Sequence, residues 1–583
     1  MSAKDFEKQT GIDATYHTSS AAVRNTTSDD LSDRSSTTSF ESEYTQADEG
    51  NYFKRLYDSF KPINLDDEGI DTSGLSPIEK AVIASARHPL ARRLKNRHLQ
   101  MIAIGGSIGT GLFIGTGYAL SQVFLLVGYS LLTVVYALGE LSVQFPVSGS
   151  FNAFYSRFLE PSFGSTFGIL YAASWCISFP SELIAAAMTV QYWNDLINPA
   201  VWVAVFWVVV VIINFFGVKG YGEVEYVLSM IKVLAVVGFI ILGICITCGV
   251  GDQGYIGGRY WHDPGAFNHG VKGVASCFVS AAFSFGGIEL VALAAAETKA
   301  PNISIPKAVK STFYRIFIFY ILTAIVIGCL VPYTNEDLLD GDGIAASPFV
   351  IAINQGGIKV VPHIMNAVII IAVISVGNSS VYGCSRTLAS LAVQGLLPKA
   401  FGYIDRNGRP LCYWSLGFLV VNENESAVFT WFFSICSLSS FFTWGAVNVV
   451  HLRWRWALDC QGRSTDEIIF KSPLGTLGSW TGIAVLIVVV MGEIWISIFP
   501  IGSPADVTTF WQNCLSLPLM IIMWAGFKTV HKSWNMLWIK LDDIDLDTGR
   551  REIDVELLKQ EIAEQRQIMS NKPFYYKIYN FFC

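Results

Sequence analysis

Two stretches of this sequence carry residues that let a helix open where its backbone would otherwise be hidden. Residues 105–111 read Gly-Gly-Ser-Ile-Gly-Thr-Gly inside the apolar run 101–119, and residues 283–289 read Phe-Ser-Phe-Gly-Gly-Ile-Glu inside a second apolar run. In hydrocarbon, unwound backbone persists only where it is buried in protein or lines a cavity. Freed amides at Ile108, Thr110 and Gly111, at the positive end of the following half-helix, suit a carboxylate. Freed carbonyls at Phe283, Ser284 and Gly286 suit an ammonium. Together they would clamp the two ends of a zwitterion and leave the rest of it to a variable pocket. The alternative is a glycine-rich packing face, in which Gly105, Gly109 and Gly115 let helices approach closely.

Ionisable side chains deep in apolar segments are costly and mark function by default. Three stand out. Glu182, beside Pro180 in WCISFPSELIAAA, can meet a ligand's ammonium or a cationic side chain, or partner a backbone group. Lys232, in SMIKVLAVVGF, can lose and regain a proton as burial changes its affinity for it, or snorkel to the cytoplasmic face. Glu289 can relay protons or brace the broken helix. Phe283 can close over a ligand as an aromatic lid or serve as a core aromatic, and Gly286-Gly287 leave space beside the pocket. Thr443, Trp444, Asn378, Ser379 and Ser380 are weaker pocket candidates, because polar residues inside helix bundles are most often interhelical glue.

These residues need a membrane-embedded scaffold. The 583 residues are 52% hydrophobic and 15% charged, which excludes an ordinary soluble domain. Apolar segments fall near 101–119, 121–143, 166–188, 200–217, 224–248, 273–294, 316–333, 360–383, 411–421, 427–451, 480–500 and 510–528, which makes twelve spans. Arg87, Arg92, Arg93, Lys95 and Arg97 precede the first span. The even loops carry further sets including Arg157, Lys219, Arg386, Arg409, Arg453 and Arg463, while the intervening loops hold few. The positive-inside rule then places both termini in the cytoplasm. The ninth segment, LCYWSLGFLVV, is short: its 11 residues reach ~16 Å as a helix against a core of ~30 Å. Breaks in spans one and six, at matching positions, are the mark of an inverted five-plus-five repeat with the site between them. The fold expected is an all-α integral membrane protein of 12 transmembrane helices.

Residues 1–98 are read as a cytosolic tail, its first fifty residues Ser/Thr/Asp-rich and expected to be disordered, with no cleaved signal peptide. Residues 99–530 form the transmembrane body and 531–583 a cytosolic tail, in which Asp547 or Thr548 can cap a helix with Val555, Leu558 and Ile562 on one stripe. The cysteines have no repeated spacing, so neither a disulfide framework nor a metal cluster is expected. No patch suggests a nucleic-acid partner, no cofactor is expected, and the intramembrane carboxylates are not paired as an enzyme's would be.

The runs RHLQMIAIGGSIGTGLFIGTG, INFFGVKGYGEVEY, YIGGRYWHDPGAF, AAFSFGGIELVALAAAET, VISVGNSSVYGCSRTLASLA and DIDLDTGRREIDVELLKQEIAE closely resemble the fungal general amino acid permeases. These belong to the yeast amino acid transporter group of the amino acid, polyamine and organocation superfamily. The resemblance spans about residues 76–583. It implies a proton-coupled importer of amino acids at the plasma membrane, reached through the endoplasmic reticulum, with the proton as coupling ion. It further implies carboxylate binding at Thr110 and Gly111 and ammonium binding at Phe283, Ser284 and Gly286. Glu182 falls on a pocket position and Lys232 on one tied to proton coupling. Tails in this group govern sorting, which suggests Lys4 and Lys8 as ubiquitin acceptors for a ubiquitin ligase and Cys583 as a palmitoylation site. Two departures stand out: the link between spans one and two, YALSQVFLLVGYS, lacks the usual Gly-Gly-Pro stretch, and span nine is short. A transporter-like sensor that binds amino acids and signals through its tails is the rival, although its best-known form has a much larger cytosolic extension.

Overall fold

The computed structural model describes residues 94, 96–106, 108–113, 121–147, 149–194, 196–265, 269–298, 301–335, 347–405, 409–410, 425–502, 504–550, 567 and 572–573. Among these, all regular structure is helical. Among the described residues, eight helices are long and apolar enough to cross a membrane, or nine when Val507–Cys514 and Ser516–Val530, bent by 55°, are taken as one span. The shortfall against the twelve expected has a physical reason. Span one is split into Asn96–Gly105 and Thr110–Phe113, span four is the short apolar helix Pro199–Phe215, and the ninth segment lies outside the described residues.

The remaining spans are Ser121–Gln144, Pro161–Val190, Gly217–Thr247, Gly270–Leu293, Pro301–Leu330, Val361–Val393, Glu425–Cys460 and Gly475–Ile498. Several begin on proline, whose fixed φ and missing N–H suit a first helical turn. Asn198 and Asp506 cap their helices through Ala200 N and Thr509 N. Two further helices lie in loops: Phe151–Phe158 between spans two and three, wholly buried, and Pro348–Gln355 before span eight.

Packing follows the expected repeat. Span one packs on span five, and five positions later span six packs on span ten; spans three and eight, and spans two and seven, pack on their own counterparts. The result is a core in which the broken spans lie beside each other. Gly111 sits so close to span six that a Cβ there would lie 2.3 Å from Ser284 Cα, and a Cβ on Gly287 would lie 2.7 Å from Gly106 O. Gly287 also has φ of 96°, a conformation only glycine adopts readily.

Residues 539–550 are docked against the loop between spans two and three and the end of span ten. Arg157, counted as a loop charge in the topology argument, is buried and donates to the carbonyls of Asp545 and Thr548. Arg453 donates to Phe158 O and Ile539 O, Gln461 to Leu541 O and Ile544 O, and Ile539 N to Leu159 O. Asp547 pairs with Arg463, and Thr548 gives its carbonyl to Arg157, so both serve this docked strap. The helix expected at 555–562 lies outside the described residues. Burial works against the Asp545 carboxylate, but the Arg157 guanidinium and the Thr548 and Asp547 amides outweigh it and hold its pKa below the ordinary value.

Candidate functional site

Between the two breaks lies a partly open cavity of about 480 Å³, lined by Thr110 and Gly111 of span one, Trp175 and Glu182 of span three, Phe283, Gly286 and Glu289 of span six, and Cys436 and Ser440 of span ten. No Lys or Arg lines it among the described residues.

Span one supplies the cavity's amide end. Thr110 and Gly111 open the second half-helix, whose first amides have no acceptor within the helix. Ile108 N instead donates to Gly105 O at 3.2 Å, and Leu112 N and Phe113 N donate to Gly109 O. The Thr110 hydroxyl donates to Glu182 Oε2 at 2.5 Å, tying the break of span one to span three. Glu182 Oε1 is buried without a hydrogen-bond partner and faces the same cavity.

Span six supplies the carbonyl end. Its first half ends at Phe285, and the chain resumes as helix at Leu290. Phe283 O accepts from Gly286 N, and Ser284 O from the Tyr320 hydroxyl at 2.8 Å, so Ser284 is held by span seven. The Phe283 ring lines the cavity and stacks on Phe433 of span ten, with centroids 4.4 Å apart. Glu289 forms part of the floor. Its Oε1 accepts from Gly287 N and the Tyr171 hydroxyl, each at 3.4 Å, and the Trp444 indole also acts on the carboxylate.

Lys232 does not snorkel. It is fully buried, and its ammonium donates to Gly105 O at 2.6 Å, at the end of the first half of span one. A carbonyl released by the helix break thus receives a charged donor, the stronger class of hydrogen bond.

The structure leaves other sequence-derived candidates aside. Thr443 is buried below the cavity, its hydroxyl on Ser439 O and its carbonyl on the Tyr155 hydroxyl. Asn378 accepts from Asn214, Ser379 pairs with Tyr221 and Ser380 donates to Ser178, which is the interhelical glue role. Lys4, Lys8 and Cys583 lie outside the described residues.

Sequence reasoning missed Ser174, Trp175, Ser178, Val376, Cys436 and Ser440, all of which line the cavity. The first three stand one and two turns before Glu182, so helical spacing could have found them once Glu182 was fixed on the inner face. It also missed Glu225, fully buried on span five, with Oε1 3.7 Å from Lys232 Nζ.

A family model described as amino acid permease matches residues 98–540. The chain is 75% identical to the S-adenosylmethionine permease GAP4 of Candida albicans, over 99% of each chain. It is 47% identical to the general amino-acid permease GAP1 of Saccharomyces cerevisiae, over 91% of each, and 48% identical to the S-adenosylmethionine permease SAM3 of the same yeast, over 92% of this chain and 95% of that one.

Proposed function

This chain belongs to the amino acid permease family, a multi-pass membrane family of transporters rather than enzymes, and from that premise we propose that it imports amino acids coupled to protons. The carrying observation is the meeting of both helix breaks at one cavity, with Lys232 bound to the carbonyl end of the span-one break. Thr110 and Gly111 take the substrate carboxylate, and carbonyls of the 283–286 break take its ammonium. Glu182 holds the Thr110 side chain in place and offers a free oxygen to the cavity. Lys232 is the coupling group: protonated, it holds Gly105 O and fixes span one, and deprotonation releases it.

Specificity is broad among amino acids and includes those with a positively charged side chain, S-adenosylmethionine among them. The carboxylates of Glu182 and Glu289 and the rings of Trp175 and Phe283 line the cavity, and a sulfonium or other cation gains from both charge and π-faces. The name of the relative at 75% identity supports the same substrate. The protein acts at the plasma membrane with both termini in the cytosol, after transit through the endoplasmic reticulum. Its tails carry the ubiquitin acceptors Lys4 and Lys8 and the lipidation site Cys583, for ubiquitin ligase and trafficking machinery.

The test is uptake of radiolabelled amino acids and S-adenosylmethionine into cells lacking their own permeases, at acid and neutral pH, with and without a protonophore. Acid-stimulated, protonophore-sensitive accumulation is expected. A protein present at the surface that binds these compounds without accumulating any would instead be a sensor, and this reading would fail.

A further inference from the structure

We propose that Glu225 takes the coupling proton from Lys232 and passes it to the cytoplasm along a polar seam between spans five and eight, an inference that rests on the proton-coupled reading above. Lys232 has two described polar neighbours. Gly105 O, at 2.6 Å, cannot carry a proton onward at ordinary pH, and Glu225 Oε1, at 3.7 Å, can. Glu225 lies seven residues nearer the cytoplasmic end of the same helix, two turns along one face.

The seam is built of matched pairs. Ser375 of span eight donates to Glu225, with both carboxylate oxygens at 2.7 Å, and Ser229 donates to Glu225 Oε1 at 3.1 Å. One turn closer to the cytoplasm, Tyr221 and Ser379 pair at 3.1 Å. Tyr221 and Glu225 are four residues apart on span five, and Ser375 and Ser379 are four apart on span eight, so the two pairs form successive rungs between facing helix stripes. All of these side chains are buried. Beyond the lower rung lies a second cavity of about 350 Å³, lined by Tyr221, Asn214, Ser385, Arg386 and Arg409. The two rungs thus lie one helical turn apart, in line between the coupling lysine and this polar cavity.

The transfer balances. In the transfer an N–H bond of Lys232 breaks and an O–H bond forms on Glu225, turning ammonium and carboxylate into neutral amine and neutral acid and releasing Gly105 O. The acid then releases the proton through the hydroxyl rung to the cavity and returns to carboxylate. Other charges face this seam. Glu182 acts on Lys232 from span three, His98 of span one packs on Gly222, and Arg97 and His98 pair with Glu223 at the surface. Arg386 pairs with Glu297 at 3.1 Å, and Arg409 is held by Asp405. The cations around the lower cavity thus already have counter-ions, which leaves Glu225 as the carboxylate within reach of Lys232.

Glu225→Gln keeps the size and one acceptor oxygen but removes the transferable proton site. Wild-type protein in proteoliposomes is first shown to take up protons with substrate; failure there overturns the proton-coupled reading itself. Given that, the variant is expected to lose gradient-driven accumulation at least tenfold while exchange of labelled for unlabelled substrate persists, with Glu225→Asp restoring part of the accumulation. Tyr221→Phe, which breaks the lower rung, is expected to slow proton uptake several-fold without changing substrate affinity. Accumulation by Glu225→Gln within twofold of wild type would overturn the proposal. So would equal loss of exchange and accumulation in both Glu225→Gln and Ser375→Ala, which would make the seam a packing element.

Discussion

Gly111 offers a measurement that separates a substrate clamp from a packing stripe. A Cβ at this position would lie 2.3 Å from Ser284 Cα and 2.6 Å from Ser284 N, both backbone atoms of the opposing broken span. Ordinary contact begins near 3.4 Å, so Gly111→Ala must part the two breaks by about an ångström, and no side-chain rotation can relieve it. Overpacking of this kind costs about 1–3 kcal/mol. The functional effect is larger than that stability loss. The breaks supply opposite ends of the clamp, and misplacement by about 1 Å can lower a positioned step by roughly 10²-fold. Initial-rate uptake, normalised to protein at the cell surface, is the assay. Gly238→Ala is the control, since a Cβ there meets nothing within 4 Å. A drop of about two orders of magnitude in Gly111→Ala, with Gly238→Ala unchanged, is expected. Uptake by Gly111→Ala within twofold of wild type would refute the idea that the two breaks act as one site.

Two further outcomes follow from individual contacts. Thr110→Val removes the 2.5 Å hydrogen bond to Glu182 and leaves both carboxylate oxygens unpartnered; hydrogen bonds to charged groups are worth about 1.5–3 kcal/mol. Substrate affinity in a binding assay should therefore fall roughly 10- to 150-fold, with Thr110→Ser restoring it, and unchanged affinity would remove Thr110 from the site. At the docked strap, the lowered pKa of Asp545 means that its contribution to holding residues 539–550 is complete above the ordinary aspartate range near pH ~4 and is lost as pH falls through the lower folded value. Hydrogen exchange at 539–550, taken relative to the intrinsic amide rate at each pH, should stay flat from neutral to mildly acid pH and rise only below that range. Arg157→Ala should raise it at every pH, and loosening of the wild type at mildly acid pH would contradict the assignment.

Sequence alone determined the membrane class, the location of the spans and the two breaks. Hydropathy sums along the chain and glycines mark where a helix can open, so neither needs a partner helix. What it could not determine was the rotation and depth of each side chain. Glu223 and Glu225 stand two residues apart in GEVEY and look alike in one dimension. Only packing turns Glu223 toward Arg97 at the surface and buries Glu225 against Ser375 and Lys232. Thr443 shares a helix stripe with Ser440 and Cys436, yet it lies below the cavity because depth is set by how span ten meets spans three and six. Lys232, ambiguous between snorkelling and burial, was settled by a carbonyl on another helix at 2.6 Å. Arg157 counts in the sequence only as a loop charge, and a segment nearly four hundred residues later supplies the carbonyls it donates to. In each case the deciding partner is distant in sequence, and only the tertiary structure brings it within reach.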